Sequence, residues 1–202
     1  MTKFLLFVGK SCVGKDTFIK KIKQKYNNYD NIYEMKNCTT RPKRNNNEDT
    51  YYFISKEEML KNLINDKFIE CYVYNNWSYG LLKSEIHSDK INITSLSIER
   101  ANLFYDYLKE NNMLDNCLVV FMSASEEIRI ERYLNRLRYN NSLTIDNVSE
   151  LVRRFKSEDK EYKINILEEY PHIVYLNTDN NEYDNKIMAD IDNFLYRKEN
   201  VN

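Results

Sequence analysis

The segment GKSCVGKDT, residues 9–17, decides the fold of this sequence. It contains the pattern G-x-x-x-x-G-K, follows an apolar run over residues 3–8, and leads into residues 15–26, whose apolar positions repeat at helical spacing. In that strand–loop–helix context, glycines let backbone N–H groups surround phosphate oxygens, and the helix N-terminus attracts negative charge. The segment therefore predicts a phosphate-binding loop in which Lys15 reaches the β- and γ-phosphates of a nucleotide.

The glycine content of the chain supports this prediction. The 202 residues include only 3 glycines and 2 prolines, and Gly9 and Gly14 are the two glycines that the loop pattern requires. A chain that avoids glycine is expected to keep it where no other residue fits. The alternative, a turn between a strand and a helix with an exposed lysine, is therefore disfavoured.

One position in the loop departs from the pattern. Asp16 follows Lys15, where Ser or Thr normally faces Mg²⁺, and Thr17 comes one residue later. Asp16 either holds Mg²⁺, directly or through water, or repels the phosphates and weakens nucleotide binding. On the first interpretation, Asp16 and Thr17 are the candidate metal ligands, and Mg²⁺ bound with ATP is the cofactor.

Composition excludes several other classes of protein. Thirty Lys and Arg against 31 Asp and Glu give a net charge of −1, which disfavours nucleic-acid binding through bulk charge. No apolar run approaches the roughly 20 residues of a membrane span. The 4 cysteines are widely spaced without a C-x-x-C pair, which predicts reduced thiols in a cytoplasmic protein. The 2 histidines do not cluster with other ligand residues, so neither a metal centre nor a catalytic triad is predicted.

Apolar patterns along the remaining sequence alternate between strands and helices. Further strands are predicted over residues 33–38, 51–54, 68–74, 91–95, 118–122 and 172–176. Further helices are predicted over residues 56–66, 81–87, 97–110, 125–138, 146–170 and 183–197. This alternation predicts an α/β fold with a central parallel sheet flanked by helices. Residues 36–88 are richer in strand and turn patterns, which indicates an inserted subdomain.

A second group of residues suits a phosphate monoester. The segment TTRPKR, residues 39–44, places Arg41 and Arg44 three residues apart beside a rigid proline. Their forked guanidinium donors match phosphate oxygens, although the segment alone equally fits a basic surface loop. It is followed by YYFIS at 51–55, FIE at 68–70 and YG at 79–80.

Together with the phosphate loop, this ordered set resembles the guanylate kinase family over nearly the whole chain. The resemblance implies one P-loop kinase domain over residues 1–202, with a core formed by 1–35 and 89–202. It also implies a nucleoside-monophosphate-binding insert over about 36–88 and a short lid over about 136–146. The implied reaction is transfer of the γ-phosphoryl group of ATP to GMP or dGMP.

The resemblance further implies roles for individual residues. The residues implied to bind the acceptor nucleotide are Asn37, Arg41, Arg44, Tyr51, Glu70 and Tyr79, with Glu70 accepting hydrogen bonds from the guanine edge. Those implied to bind ATP are Gly9, Ser11, Cys12, Val13, Gly14, Lys15, Asp16, Thr17 and Asn177. Those implied to act on the transferring phosphates are Lys15, Arg132, Arg136 and Arg154.

The chain departs from the family's pattern around the base. Asn37 replaces a serine, and Leu81 follows the YG pair where the family usually has Ser or Thr. The strand over 91–95 ends in Thr94 and Ser95 without the family's aspartate, and the loop after Arg44 is about two residues short. We therefore expect a guanine preference with weaker discrimination than the family norm, and tolerance of both ribose and deoxyribose.

The helix that begins after Ser125 carries apolar and basic residues on opposite faces. The apolar face is predicted to consist of Ile130, Leu134 and Leu137, and the basic face of Arg129, Arg132 and Arg136. The basic face alone fits a solvated surface that pairs with neighbouring glutamates. The resemblance instead assigns Arg132 and Arg136 to the phosphates, with residues 140–144 as the lid loop.

Two other functions remain open at this stage. One is the same phosphoryl transfer to another ribo- or deoxynucleoside monophosphate. The other is a non-catalytic scaffold that binds a protein partner, which the retained loop glycines and Lys15 disfavour. The expected ligands are ATP and a nucleoside monophosphate, with no nucleic acid or membrane, and the protein is expected to be a monomer or a homodimer.

Overall fold

The computed structural model describes residues 2–26, 31–43, 46–161, 169–179 and 184–196. The strands are β1 (Lys3–Val8), β2 (Ile32–Glu34), β3 (Cys38–Thr39), β4 (Tyr52–Phe53), β5 (Phe68–Tyr74), β6 (Trp77–Leu82), β7 (Ile91–Leu96), β8 (Cys117–Ser123) and β9 (Ile173–Asn177). The helices are α1 (Lys15–Lys25), α2 (Lys56–Ile64), α3 (Ile98–Glu110), α4 (Glu126–Tyr139), α5 (Ile145–Glu161) and α6 (Asp184–Tyr196).

A parallel sheet of five strands, in the order β2-β7-β1-β8-β9, forms the larger part of the fold. Every residue from Phe4 to Val8 of the central strand β1 is fully buried. Successive side chains of a strand point to opposite faces of its sheet, so β1 contributes to two cores. Phe4, Leu6 and Val8 pack with α3, and Leu5 and Phe7 pack with α1 and α6. The predicted α/β fold with helices on both faces is confirmed.

A smaller mixed sheet lies within residues 38–82, in the order β4-β3-β6-β5. The β3–β4 pair is parallel, whereas β6 runs antiparallel to both β3 and β5. α2 packs Met59 against Cys38 and Phe68 of this sheet. The hydroxyl of Ser55 accepts the backbone N–H of Glu58 at 3.1 Å and so caps the N-terminus of α2.

One helix prediction and one strand prediction in and beside this part of the chain are wrong. Residues 81–87 do not form a helix, because β6 continues through Leu82 and a 3₁₀ turn, Lys83–Glu85, follows it. Leu81 is fully buried and lies opposite Glu70 of β5, so strand pairing prevails over the local sequence pattern. Residues 33–38 do not form one strand either, since β2 joins the large sheet and β3 joins the small one.

The predicted core face of α4 is also wrong in part. The buried positions are Arg129, Tyr133 and Leu137, whereas Ile130 is 38% exposed. Tyr133 and Leu137 pack against Leu151 of α5, which makes the two helices a pair. The buried face of α4 is therefore rotated about the helix axis from the predicted face, and it includes Arg129.

Helix ends differ slightly from the predictions. The described part of α5 ends at Glu161, and Tyr170, predicted as its last residue, lies outside a helix and packs against Tyr105. Residues 162–168, together with the predicted first and last residues of α6, Tyr183 and Arg197, lie outside the described residues. Across the described ranges, no helix has both the length and the apolar character needed to cross a membrane.

Candidate active site

The loop between β1 and α1 has a backbone that requires glycine at two positions. A Cβ atom on Gly9 would lie 2.3 Å from the carbonyl oxygen of Met122 on β8, which no nonbonded contact allows. Gly14 has a φ of 97°, in the left-handed region that favours glycine. Cys12 also has a positive φ, 65°, so the loop holds one non-glycine residue in the same region. The curved backbone of a phosphate loop is therefore present at residues 9–17.

Lys15 begins α1, and its side chain folds back over the loop. Its Nζ donates hydrogen bonds to the carbonyl oxygens of Gly9, at 2.7 Å, and Lys10, at 2.9 Å. Burial lowers the pKa of Lys15 to about 8, an effect that the nearby Asp16 carboxylate partly opposes. The charge on this lysine therefore depends on pH just above neutrality.

A cavity of about 350 Å³ opens beside the loop. Residues 12–18 form one wall, and Arg132, Arg136 and Thr178 form the other. The first turn of a helix presents unpaired backbone N–H groups, and two arginines and a lysine add positive charge, so the cavity suits a polyanion. The structure thus brings together Lys15, Arg132 and Arg136, which the sequence predicted for the transferring phosphates.

The two arginines of α4 that line the cavity have different contacts. Arg132 donates from Nη1 to Thr178 Oγ1 at 2.9 Å and from Nη2 to the Thr178 carbonyl at 2.6 Å. The Thr178 hydroxyl in turn donates to the carbonyl of Val13 at 2.9 Å. The guanidinium of Arg136 lies over the ring of Tyr133, 4.9 Å from its centroid. Arg132 is therefore tied to the loop through Thr178, and Arg136, one turn further along α4, reaches the loop at Cys12, whose Sγ lies 3.9 Å from Nη2.

Asn177 and Arg154 have contacts of another kind. The side-chain oxygen of Asn177 accepts the backbone N–H of Asp179 at 2.8 Å, and the next residue, Thr178, is the one that lines the cavity. Arg154 on α5 donates to Glu150 at 2.8 Å. Hydrogen bonds from Arg153 and Arg154 lower the pKa of Glu150 to about 2. The roles predicted for Asn177 and Arg154 stay predictions.

Two residues that the sequence analysis did not assign to the site hold the loop in place. Arg129 is only 1% exposed, and its Nε donates to the carbonyl oxygen of Ser11 at 2.8 Å. Glu158 of α5 accepts the backbone N–H of Ser11 at 2.8 Å and forms an ion pair with Arg129. The ring of Phe155 lies 4.1 Å from the guanidinium of Arg129. Both backbone polar groups of Ser11 are therefore bonded to one buried ion pair that joins α4 and α5.

Helical spacing carried a signal for this pair. Arg129 precedes the buried Tyr133 and Leu137 by four and eight residues, and Glu158 follows the buried Leu151 by seven. Residues at these spacings share one face of a helix. The assignment of Arg129 to a solvated face is wrong because its charge is paired across helices with Glu158, not along its own helix.

Residues predicted for the acceptor phosphate lie together on the small sheet. The guanidinium of Arg41 is 5.7 Å from the ring centroid of Tyr51, whose ring is 5.8 Å from that of Tyr79. Arg41 also forms an ion pair with Glu48 at 2.5 Å, and both side chains are nearly buried. Arg44 lies outside the described residues. Arg41, Tyr51 and Tyr79 thus form one basic and aromatic cluster.

Residues predicted for the base meet at an arginine that the sequence analysis did not identify. Arg100 of α3 donates from Nε to Glu70 Oε1 at 2.9 Å, and its Nη2 bonds both that oxygen and Asn37 Oδ1. The side chain of Glu70 is 0% exposed, and that of Arg100 is 9% exposed. The two partners are 30 residues apart on different elements, so no local pattern predicts their contact.

A phosphate loop at the carboxyl end of the central strand of a five-stranded parallel sheet, with a lysine and arginines facing one cavity, defines a P-loop kinase. Comparisons with known proteins specify the family. A family model described as guanylate kinase matches residues 1–190. The solved guanylate kinase of Anaplasma phagocytophilum shares the fold, with a TM-score of 0.58 and 18% identity over 96% of this chain and 84% of that one.

Curated relatives agree with the family match. A guanylate kinase of Mycoplasmopsis synoviae is 30% identical over 152 residues, which are 71% of this chain and 75% of that protein. One from Mycoplasma mobile is 28% identical over 84% of this chain and 87% of that protein. The match to the guanylate kinase of Thermotoga maritima, 39% identical, spans only 41% of each. The chain belongs to the guanylate kinase family, and it is an ATP-dependent kinase that phosphorylates GMP.

The ion pair beneath the loop generates a prediction about stability. Arg129→Met leaves the Glu158 carboxylate without its cationic partner, and we expect the free energy of unfolding to fall by about 3–5 kcal/mol. Urea denaturation measures the change. The control is Arg138→Met on the exposed face of the same helix, for which we expect a change within about 0.5 kcal/mol. Equal effects of the two substitutions would contradict a structural role for the pair.

Proposed function

We propose that the chain transfers the γ-phosphoryl group of ATP to both GMP and dGMP, with the two nucleotides bound at separate phosphate sites. The observation that carries this proposal is the cavity in which Lys15, Arg132 and Arg136 surround the N-terminus of α1. The ATP phosphates are assigned to this cavity. The ATP-binding residues that we propose are Gly9, Ser11, Cys12, Val13, Gly14, Lys15, Asp16, Thr17 and, near the adenine, Asn177.

The acceptor nucleotide is assigned to the small sheet. Its phosphate is proposed to bind Arg41, Arg44, Tyr51 and Tyr79, and contact among the three described members of this set supports the assignment. Its base is proposed to contact Glu70 and Asn37, which share Arg100 as a partner. On this proposal, residues 36–88 are the nucleoside-monophosphate-binding insert, and residues 1–35 and 89–202 form the core.

The residues that face the cavity fit Mg²⁺ as the cofactor bound with ATP. Asp16 and Thr17 lie in the first turn of α1 and line the same cavity as Lys15. Carboxylate and hydroxyl oxygens are hard ligands, and Mg²⁺ is usually held by one or two carboxylates together with phosphate oxygens and water. Of the two interpretations of Asp16, we therefore propose the metal ligand. When bound, Mg²⁺ would neutralise charge on the β- and γ-phosphates.

This reaction needs no general base, because the acceptor phosphate is already an anionic nucleophile. The protein's contribution is then alignment of the two nucleotides and neutralisation of charge on the transferring group. We assign the second task to Lys15, Arg132 and Arg136, with Arg154 joining them from the helix that follows the lid. Closure of the lid, residues 136–146, over the insert would exclude water and prevent hydrolysis of ATP.

We also propose that the enzyme is cytoplasmic, acts as a monomer or a homodimer, and has nucleotides rather than nucleic acids or membranes as ligands. All four cysteines are free thiols, which supports a reducing compartment. The near-neutral net charge of −1 supports the absence of a nucleic-acid partner.

The base assignment is tested by a panel of acceptors in a coupled ADP-release assay. We expect wild-type kcat/KM to be highest for GMP and dGMP and much lower for AMP and dTMP. Glu70→Gln replaces one acceptor oxygen with a donor, so it should depress activity on the two guanine nucleotides selectively. The matched control is Glu85→Gln, the same change at a buried glutamate that bonds Tyr33 and Lys36, which should affect all acceptors alike. A pyrimidine preference in wild type, or an unchanged guanine preference in Glu70→Gln, would contradict the assignment of Glu70 as the residue that recognises the base.

The phosphate assignment is tested by Arg41→Ala. Loss of a charge-assisted hydrogen bond is expected to raise the KM for GMP by about tenfold to a hundredfold, with the KM for ATP changing far less. Lys43→Ala, two residues away on the same loop, is the control for loss of a nearby positive charge. An effect confined to the KM for ATP would reverse the assignment of the two sites.

The lowered pKa of Lys15 predicts how ATP affinity depends on pH. ATP binds the charged amine of Lys15. In the protein without nucleotide, this buried amine is mostly neutral at pH values above its pKa of about 8. The dissociation constant for ATP should therefore rise by about tenfold from pH 7 to pH 9. Lys15→Met should bind ATP more weakly without this rise, and its kcat should fall by ~10²-fold or more. A wild-type affinity that is constant over this range, or a normal kcat in Lys15→Met, would contradict the assignment.

A further inference from the structure

The two carboxylate oxygens of Glu70 differ in their hydrogen bonds to Arg100. Both hydrogen bonds from the Arg100 guanidinium go to Oε1, from Nε at 2.9 Å and from Nη2. Oε2 is buried and, within the part of the chain that the structure describes, has no hydrogen-bond partner. Buried polar atoms of native proteins are nearly always paired, so an unpaired carboxylate oxygen points to a donor that a ligand supplies.

The neighbours of Glu70 do not provide a second acceptor oxygen that could bind the base. Leu81 lies directly opposite Glu70 on β6, and its side chain is fully buried and apolar. The amide oxygen of Asn37 accepts a hydrogen bond from Nη2 of Arg100. Arg100 therefore engages two of the three acceptor oxygens in this group, and Glu70 Oε2 is the third.

A series of aromatic and cation–π contacts connects Arg100 to Arg41 of the proposed phosphate site. The guanidinium of Arg100 lies 5.0 Å from the ring centroid of Tyr72. Tyr72 stacks on Tyr79, with centroids 5.3 Å apart and an interplanar angle of 20°. Tyr79 contacts Tyr51, and Arg41 lies over Tyr51. The Arg100–Glu70 pair and Arg41 thus lie at the two ends of one continuous series of contacts in the proposed acceptor site.

We infer that Arg100 determines the base specificity of the enzyme by occupying Oε1 of Glu70 and leaving Oε2 to read a single ring N–H of the base. This inference rests on the proposed function, in which Glu70 contacts the base of the acceptor nucleotide. Glu70 Oε2 presents a single acceptor. Its complement on a base is a ring N–H donor, which the N1–H of a 6-oxopurine supplies.

The substrate class that follows is the 6-oxopurine monophosphates. Guanine and hypoxanthine share the N1–H and C6=O groups and differ only in the exocyclic 2-amino group of guanine. With Oε1 held by Arg100, no carboxylate oxygen is left for that amino group, so GMP and IMP are both substrates. Adenine is rejected because its N1 is an acceptor that faces the Oε2 acceptor.

The test compares kcat/KM for GMP and IMP in wild type, Arg100→Met and Arg100→Lys. We expect wild type to use IMP within about tenfold of GMP. Arg100→Met releases Oε1 for the 2-amino group, so the GMP-to-IMP ratio should rise by about tenfold to a hundredfold, the contribution of one hydrogen bond to a charged group. Arg100→Lys retains a cation beside Oε1 and should keep the ratio near the wild-type value.

Two results would overturn the inference. One is a wild-type preference for GMP over IMP of more than a hundredfold, and this measurement needs no variant, so it decides even where Arg100→Met does not fold. The other is a GMP-to-IMP ratio in folded Arg100→Met equal to that of wild type. A second wild-type measurement uses 1-methyl-GMP, which lacks the N1–H: activity on it close to that on GMP also overturns the inference.

The failure of this inference is distinguishable from failure of the proposed function. If Glu70→Gln leaves the preference for GMP over AMP intact, Glu70 does not contact the base and the proposed base site is wrong. If Glu70→Gln abolishes that preference while Arg100→Met leaves the GMP-to-IMP ratio unchanged, the base site stands and only the role of Arg100 is wrong.

Discussion

The buried ion pair between Arg129 and Glu158 is the interaction on which the phosphate loop depends. It bonds both backbone polar groups of Ser11 and connects the loop to α4 and α5, the two helices on either side of the proposed lid. Gly9 and Gly14 allow the loop its curvature, but glycine alone leaves a loop without a fixed shape. Desolvation offsets much of the attraction within a buried pair, so its main contribution is a defined loop geometry.

The same arrangement recurs at the proposed acceptor site. There, too, a glutamate of one element is held by an arginine of another, since Glu70 of β5 pairs with Arg100 of α3. In the first case the glutamate bonds the backbone of the loop; in the second it keeps one oxygen, Oε2, without a partner in the described chain. Each pair fixes the groups that would meet a nucleotide, one at its phosphates and the other at its base. The distribution of charge, more than the shape of either sheet, therefore accounts for the proposed function.

The sequence predicted the parts of the fold whose signals are local. The strand β1, the loop and α1 adjoin one another in the chain. The scarce glycines were also informative, since a Cβ on the third, Gly80, would lie 2.6 Å from the ring of Phe68. The strand β6 and the partners of Arg129 and Arg100 were not predicted, because strand pairing and contacts between elements distant in the chain decide them. Departures from the family pattern at Leu81 and Asn37 indicated where the proposed base site is unusual, but not that Arg100 bonds Glu70 and Asn37 there.

On the proposed function, two nucleotides bind together with their phosphates meeting between the loop and the small sheet. Calorimetric titration with a bisubstrate compound, in which an oligophosphate joins adenosine to guanosine, tests it most directly. We expect one compound bound per chain and displacement by ATP and by GMP, with tighter binding than either nucleotide alone because the second contact becomes intramolecular. Displacement by only one of the two nucleotides would contradict it.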